Sequence, residues 1–408
     1  MTAPRRDDTH KPSQLISGEH AALDRRSLLK LAGAAGALGL TGIAHAQEKP
    51  AEPPPSKQAL KPPFTPTKPL KIGVSSAAIL GKPQKLNGHT YHFAQFLHPN
   101  FDFDVWKRVN PNAWDSFVKI YRNPKMNFGR LPFPETEIAY YYDADPEVAK
   151  VFTEVFPGVK VAKSPEQMAD ECDAIFMGDA SGLGEDHFDL VAPGLAKGKP
   201  TFCDKPIGGT VAGTKKILDF AKQHNTPIMS TSIFCYEHGL EQAMRWRDSG
   251  EFGGLEHVSA RLHSRYSLPA WMIYGQHPVW SVMMLMGSGV EAVQLYEYKD
   301  TCHGLITWPD KYPCHVWYGQ PYEKFEYDRT DVYFKKKLYQ YTSSIDGDFA
   351  HGHKYQMFRQ CEAFREMCYT RKEPVTHQQI LEVTAIVWAG AQSLKEKSRL
   401  VKIEEVMG

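Results

Sequence analysis

Between Ile138 and Ser230 short apolar runs alternate with amphipathic stretches, and this alternation constrains the fold more than any other feature. The runs Ile138 to Tyr142, Val159 to Val161, Cys172 to Met177, Pro200 to Cys203 and Pro227 to Ser230 have strand length. Between them, PEVAKVFTEVF, SPEQMADE, HFDLVAPGLAKG and VAGTKKILDFAKQH carry helical spacing. Strands separated by helices pair in parallel, so the pattern predicts a doubly wound sheet covered on both faces. Leu70 to Val74 adds a strand ahead of the series. Ligands of such sheets lie beyond the carboxyl ends of the strands, near the reversal in strand order. The stretch KPTFCDKPIGG puts Asp204-Lys205-Pro206 at such an end, which makes Lys205 a candidate site residue.

Past Gly254 the pattern changes. VSARLHSRY, VEAVQLYEYKD, CHVWYGQ, KFEYDRTDVYFKK and KKLYQYTSS read as strands separated by turns, closed by the helical ILEVTAIVWAGAQSLKEKSR. The expected fold class is an α/β Rossmann-like doubly wound domain followed by an α+β domain with an open, mostly antiparallel sheet. A chain of 408 residues is long enough for two such units, since single cores stop growing near roughly 250–300 residues. The expected boundaries are 70–235 for the first domain, with an insertion at about 82–135, and 236–408 for the second. The C-terminal helix is free to pack back on the first.

The first 46 residues read as an export signal. Asp24-Arg25-Arg26-Ser27-Leu28-Leu29-Lys30 precedes the weakly apolar LAGAAGALGLTGIA, and Ala44-His45-Ala46 forms a cleavage site before Gln47. This is a twin-arginine leader, cleaved after Ala46, whose apolar run is too short to span a membrane, so no stable anchor is expected. The implied partner is the twin-arginine translocation machinery and the implied location the periplasm. That route carries folded proteins, which favours a tightly held cofactor. From Gln47 to Pro69, eight prolines rule out helix and central strand and predict a polyproline II arm, either a tether or a strap across a neighbouring subunit. Of seven cysteines, Cys302 and Cys314 are the pair expected to bond in that compartment. A net charge of +1 gives no reason to expect nucleic acid as a partner.

Several motifs then fall in a telling order. CDAIFMGDASGLGEDHFDLVAPGLAKGKPTFCDKPIGG, then STSIFCYEHGLEQAMRWRDSGEFGGLEHVSAR, then YGQHPVWSVMMLMG resemble the glucose–fructose oxidoreductase / inositol dehydrogenase (Gfo/Idh/MocA) family over roughly residues 70–80 and 136–402. The resemblance implies NAD or NADP as cofactor, a sugar or polyol as substrate, and a homo-oligomer that uses the open sheet face. It makes Lys205 and His277 catalytic. Lys205 would polarise the substrate hydroxyl and His277 would take its proton. It assigns cofactor binding to Ser76, Ala78, Gly81, Asp143, Asp179, His187, Asp204 and Pro206, and substrate contacts to Tyr274, His92 and Tyr236.

Three departures accompany the resemblance. Ser76-Ala77-Ala78-Ile79-Leu80-Gly81 stands where G-x-G-x-x-G is expected, keeping only the last glycine. Asp143, the candidate ribose acid, lies about 70 residues beyond Gly73 rather than about 20. Ile273 occupies a position where the family often carries an aspartate, four residues before the histidine. His89, His92 and His98 lack the spacing of a metal site, so no metal is expected. The leading expectation is a periplasmic NAD(P)-dependent oxidoreductase acting on a sugar or polyol. Two alternatives are an NAD-dependent glycosidase or lyase using transient oxidation, and a sugar-binding relative that has lost its coenzyme.

Overall fold

The computed structural model describes residues 68–111, 114, 133–319, 328–343 and 353–408. The leader, the arm as far as residue 67 and most of the aromatic segment 112–132 lie outside them. The first sheet contains β1 (Leu70–Ser76), β4 (Thr136–Tyr142), β5 (Lys160–Val161), β6 (Ala174–Gly178), β7 (Thr201–Cys203) and β8 (Ile228–Met229). A hairpin, β2 (Ala78–Ile79) with β3 (Lys82–Pro83), stands apart from it. The order is β5-β4-β1-β6-β7-β8 and every pairing is parallel. The reversal therefore falls between β1 and β6, where such sheets bind ligands.

Helix α1 (Gly88–Leu97) crosses from β1 toward β4, capped by the Asn87 side chain accepting from the His89 amide. It buries Tyr91, Phe93, Phe96 and Leu97. Helix α2 (Phe103–Val109) follows, then α3 (Pro146–Val155), α4 (Pro165–Glu171), α5 (His187–Ala196) and α6 (Val211–Gln223). Tyr141 stacks on Phe152 at 3.8 Å, and Phe176 on Phe202 at 4.2 Å, so aromatic rings fill this core. The insertion expected at 82–135 is thus corrected at its start: residues 88–97 are the crossover helix itself. The reading failed because the chain inserts a hairpin before the helix, which displaced the expected helix start.

A 3₁₀ turn (Ile233–Tyr236) leads through α7 (His238–Ser249) into the second domain. Its seven-stranded sheet uses β9 (Leu255–Leu262), β10 (Ala292–Tyr298), β11 (Thr301–Trp308), β12 (Lys311–Gly319), β13 (Asp328–Phe334), β14 (Lys337–Ser343) and β15 (Val401–Lys402). All neighbours are antiparallel except β9 and β12. One face buries Val258, Ala260, Ile306 and Val316, while Ser259, Arg261, His303, His315 and Trp317 on the other are half-exposed. Helices α8 (Leu268–Tyr274) and α9 (Gln276–Met286) follow β9. Two long helices, α10 (His353–Thr370) and α11 (His377–Lys395), stand between β14 and β15 in the sequence. The first adds Phe358, Cys361, Phe364 and Met367 to the aromatic core of the first domain. The second packs back on α6, where Thr214 Oγ1 meets Thr384 Oγ1 at 3.4 Å. Among the described residues no helix is long and apolar enough to cross a membrane.

The expected Cys302–Cys314 bond does not form, and both thiols are free and buried. Cys302 pairs with Tyr318 across the ladder and Cys314 with Ile306. They are four rungs apart, about 13 Å, well beyond disulfide reach.

The turn behind Lys205 is held by glycines that no other residue could replace without movement. A Cβ on Gly213 would lie 1.9 Å from the Gly208 carbonyl oxygen, and one on Gly208 would lie 2.3 Å from the Thr214 amide. Helix α6 therefore starts in direct contact with that turn. Gly213→Ala is expected to lower stability by about 1–3 kcal/mol through overpacking. A urea midpoint equal to wild type would contradict the close contact.

Candidate active site

Lys205 follows β7 directly, and its peptide bond to Pro206 is cis. Only 3 % of the residue is exposed. Its ammonium lies 3.5 Å from the Ile273 carbonyl oxygen and 4.8 Å from the centre of the Tyr274 ring. The other face of this arrangement is His277, whose ring lies parallel to that of Tyr274 at 6.2 Å. Tyr274 thus bridges the two expected catalytic residues, joining the end of β7 to the start of α9. Ser232 Oγ sits 2.6 Å from His277 Nδ1 and also accepts the Phe234 amide at 2.9 Å. When Nδ1–H is donated to Ser232, Nε2 is left as the basic atom of the ring.

Asp204, 2 % exposed, organises the strand ends. Its Oδ1 accepts the Lys205 amide at 2.8 Å, and its Oδ2 accepts the Asp179 amide at 3.0 Å. The same Oδ2 lies 2.6 Å from His89 Nδ1, on the first turn of α1. Asp179, beyond β6, is equally committed: it accepts from Gln84 Nε2 and from the Ser181 and Gly182 amides. Its Oδ2 lies 2.9 Å from His187 Nε2, while His187 Nδ1 faces the Ile207 carbonyl at 3.1 Å. With an acceptor at each nitrogen, both carry hydrogen and the ring is an imidazolium. Burial opposes both charges. Nevertheless, the His187 bond, the Gln84 amide and the Gly182 amide hold the Asp179 carboxyl below its ordinary range. Cys203 and Asp179 hold His187 well above its own. His187 is completely enclosed and Asp179 1 % exposed, so the expectation that they touch cofactor is corrected: they form a buried brace beneath the site.

The phosphate turn also differs from expectation. Gly81 is not a close-approach glycine but stands on the β2–β3 hairpin with φ +74° and nothing near its missing side chain. Ala78 is held there too, its amide donating to Asp186 Oδ2 at 2.8 Å. Gln84 Oε1 accepts the Ser181 amide at 3.1 Å, so the hairpin segment is stitched to the loop after β6 across the reversal point. Asn87 Nδ2 donates to Ser76 Oγ at 3.2 Å and to the Gly178 carbonyl at 3.0 Å, fixing the start of α1 above both strands.

The residues at both ends of this crevice nevertheless fit a dinucleotide. Asp143 ends β4, where a ribose-binding acid belongs. Its Oδ1 accepts the Asp145 amide, whereas Oδ2 is buried with no well-formed hydrogen bond. Burial pushes this carboxyl up from its usual range, with the Asp145 amide and Ser76 hydroxyl opposing. The neighbouring Ser75 hydroxyl is buried and likewise without a partner. These two atoms, Asp143 Oδ2 after β4 and Ser75 Oγ near the end of β1, suit the hydroxyls of a ribose.

Two further expected substrate residues are Tyr236 and His92. Tyr236 ends the 3₁₀ turn, packs against both hydrophobic cores, and meets Thr231 Oγ1 at 3.4 Å. His92 lies one turn beyond Gly88 on α1, and its Cε1 would be 3.7 Å from a Cβ built on that glycine. His98 links two backbones, accepting from the Ile138 amide and facing the Pro157 carbonyl. Among the described residues no three His, Cys, Asp or Glu side chains are grouped to hold a metal ion. His89, Gln84, Asn87 and Ser232 were missed. Only the Asn87-Gly88-His89 cap carried a readable signal, a helix start that the glycine-turn expectation obscured.

Residues 120–232 match the family model for the oxidoreductase family with an NAD-binding Rossmann fold, Gfo/Idh/MocA. An inositol 2-dehydrogenase of Burkholderia multivorans is 29% identical over 118 residues, 27% of this chain and 33% of that protein. An uncharacterized oxidoreductase of Streptococcus pneumoniae is 29% identical over 119 residues, 29% of this chain and 31% of that protein. The chain thus matches about a third of the length of these curated relatives. The fold likeness extends much further. The myo-inositol dehydrogenase of Lactobacillus casei, solved with NAD(H) and myo-inositol, superposes with a TM-score of 0.62 over 82% of this chain and 97% of its own, at 15% identity. The scyllo-inositol dehydrogenase of the same organism, solved with NAD(H) and scyllo-inositol, gives 0.61 over 83% and 100%, at 14%. Both support the fold class, a Rossmann-like parallel sheet followed by a mostly antiparallel one.

The buried brace has a testable pH signature. The lowered Asp179 contributes stability above about pH 3.9, lost as pH falls through its folded value. The raised His187 contributes fully below about pH 6.5, and this is lost as pH rises through its elevated value. The stability gap between wild type and His187→Gln should be widest near pH 5–6 and shrink by pH 9. A gap of constant size across urea titrations would show that the pair is not ionic.

Proposed function

We propose that this protein is an NAD-dependent oxidoreductase acting on a sugar or polyol, exported by the twin-arginine route to the periplasm. The observation that carries the reading is the Lys205–Tyr274–His277 cluster at the carboxyl end of β7, on a Rossmann segment of the oxidoreductase family. Inositol dehydrogenases share both the matched segment and the fold, which supports a cyclic or linear polyol as substrate.

In this reading Asp143 holds the ribose hydroxyls of the cofactor. A 2′-phosphate there would face a carboxylate, which favours NAD over NADP. The bound nicotinamide supplies the hydride acceptor. Lys205 donates to the reacting hydroxyl and stabilises the developing alkoxide, and His277 Nε2 takes the proton. Ser232 fixes the imidazole so that its basic atom faces the substrate. The hairpin stitched across the crevice helps to retain the cofactor, as a periplasmic enzyme without free nicotinamide nucleotide requires. Such an enzyme would oxidise one substrate and reduce another in turn. A homo-oligomer joined through the half-exposed face of the second sheet completes the proposal.

A second reading, a sugar-binding relative without coenzyme, is favoured by one observation: the hairpin occupies the place of a glycine-rich phosphate turn. Kinetics separate the two. Lys205→Ala and His277→Ala should each lower kcat/KM for the best polyol by roughly two to four orders of magnitude, with unchanged unfolding midpoints. Wild-type rates in both variants would remove the site assignment, and wild-type protein inert toward every polyol would favour the binding reading.

A further inference from the structure

We infer that the substrate of this site is an acidic sugar, a polyhydroxylated carboxylate whose carboxylate pairs with Lys205. The inference rests on the oxidoreductase reading and narrows its substrate class. It starts from an imbalance of charge. Lys205 is buried, yet its ammonium touches only a backbone carbonyl oxygen, that of Ile273, and the face of Tyr274. Among the described residues no carboxylate lies within 4.0 Å of it. A buried cation with neutral partners alone is under-compensated for lost solvation, and the natural complement is an anion.

The carboxylates that could have served are committed elsewhere. Asp204 precedes Lys205 but turns its oxygens to the Lys205 amide, the Asp179 amide and His89. Asp179 is engaged by His187, Gln84 and two amides. At position 273, where the family resemblance places an aspartate, an isoleucine contributes only its carbonyl oxygen to the lysine. A neutral polyol would accept a hydrogen bond from the ammonium but bring it no opposite charge. A sugar acid supplies the missing charge from outside, and a 2-hydroxy carboxylate presents its hydroxyl and its carboxylate on adjacent carbons, within reach of one ammonium.

The test is a calorimetric comparison on the NAD-supplied full-length mature protein. D-Gluconate and D-glucuronate are titrated beside their neutral counterparts, D-glucitol and D-glucose. The acids should bind at least about tenfold more tightly at low salt, with the advantage shrinking as ionic strength rises. Ile273→Asp, which puts a carboxylate on the residue whose carbonyl oxygen meets Lys205, should erase the preference while leaving neutral binding equal or stronger. Lys205→Gln should erase it as well, so the result does not depend on one variant folding. Neutral ligands binding as tightly as acids in wild type would overturn the charge inference while leaving the polyol oxidoreductase reading intact. A preference that survives both substitutions would overturn it too. Binding of neither class would overturn both readings.

Discussion

A single buried carboxylate, Asp204, holds three pieces of the first domain in register. It receives the backbone of β7's exit, the backbone of β6's exit and the side chain of His89 from the crossover helix. Charge-assisted hydrogen bonds of this kind are strong in a low-dielectric setting, and an unpaired carboxylate at such depth would be costly. The position of Lys205 follows from that anchor, because its own amide is one of the donors. Beneath it, the Asp179–His187 pair repeats the device, tying the loop after β6 to the turn that follows Pro206. The site is thus built on two acid–imidazole pairs and a glycine-packed turn, leaving one ammonium without an acid of its own.

The same economy of charge explains why the site differs from a plain sugar cleft. Tyr274 offers Lys205 an aromatic face, which attracts a cation while leaving it charged. The His277 ring is steadied by a hydroxyl that is itself held by a backbone amide. Each proposed catalytic group thus has a neutral contact, while Asp179 and Asp204 are spent on architecture. The hairpin plays a comparable part at the crevice, where side-chain bonds from Gln84 and Asp186 replace the close backbone approach that glycines allow.

Much of this was legible in the sequence where local pattern and tertiary role agree. The strand and helix alternation from β4 to β8 predicted the sheet, because fully buried parallel strands leave continuous apolar runs. Asp204-Lys205-Pro206 was singled out because it sits at a strand end that the pattern located, whereas His277 came only from the motif resemblance. The failures have a shared cause. Asp179 and His187 looked like ligand-facing residues, but a polar pair at a strand end serves packing as readily as binding, and only burial distinguishes the two. Gly81 was read as part of a phosphate turn, yet hairpin and turn make the same local demand for a positive φ. Strand β11 and helix α10 escaped notice because TCHGLITW contains a glycine and α10 mixes polar residues into its buried face. The cysteine pair was judged by compartment, whereas strand register decided it.

The central claim is that the crevice between β1 and β6 holds a nicotinamide dinucleotide, with Asp143 at one end and Lys205 at the other. The most direct measurement is nucleotide content: release by acid from freshly purified mature protein, followed by titration of stripped protein with NAD and NADP in a calorimeter. The account predicts about one NAD per chain after purification, or saturable NAD binding that NADP matches only weakly. Protein that carries no nucleotide and gives no heat with either would contradict it.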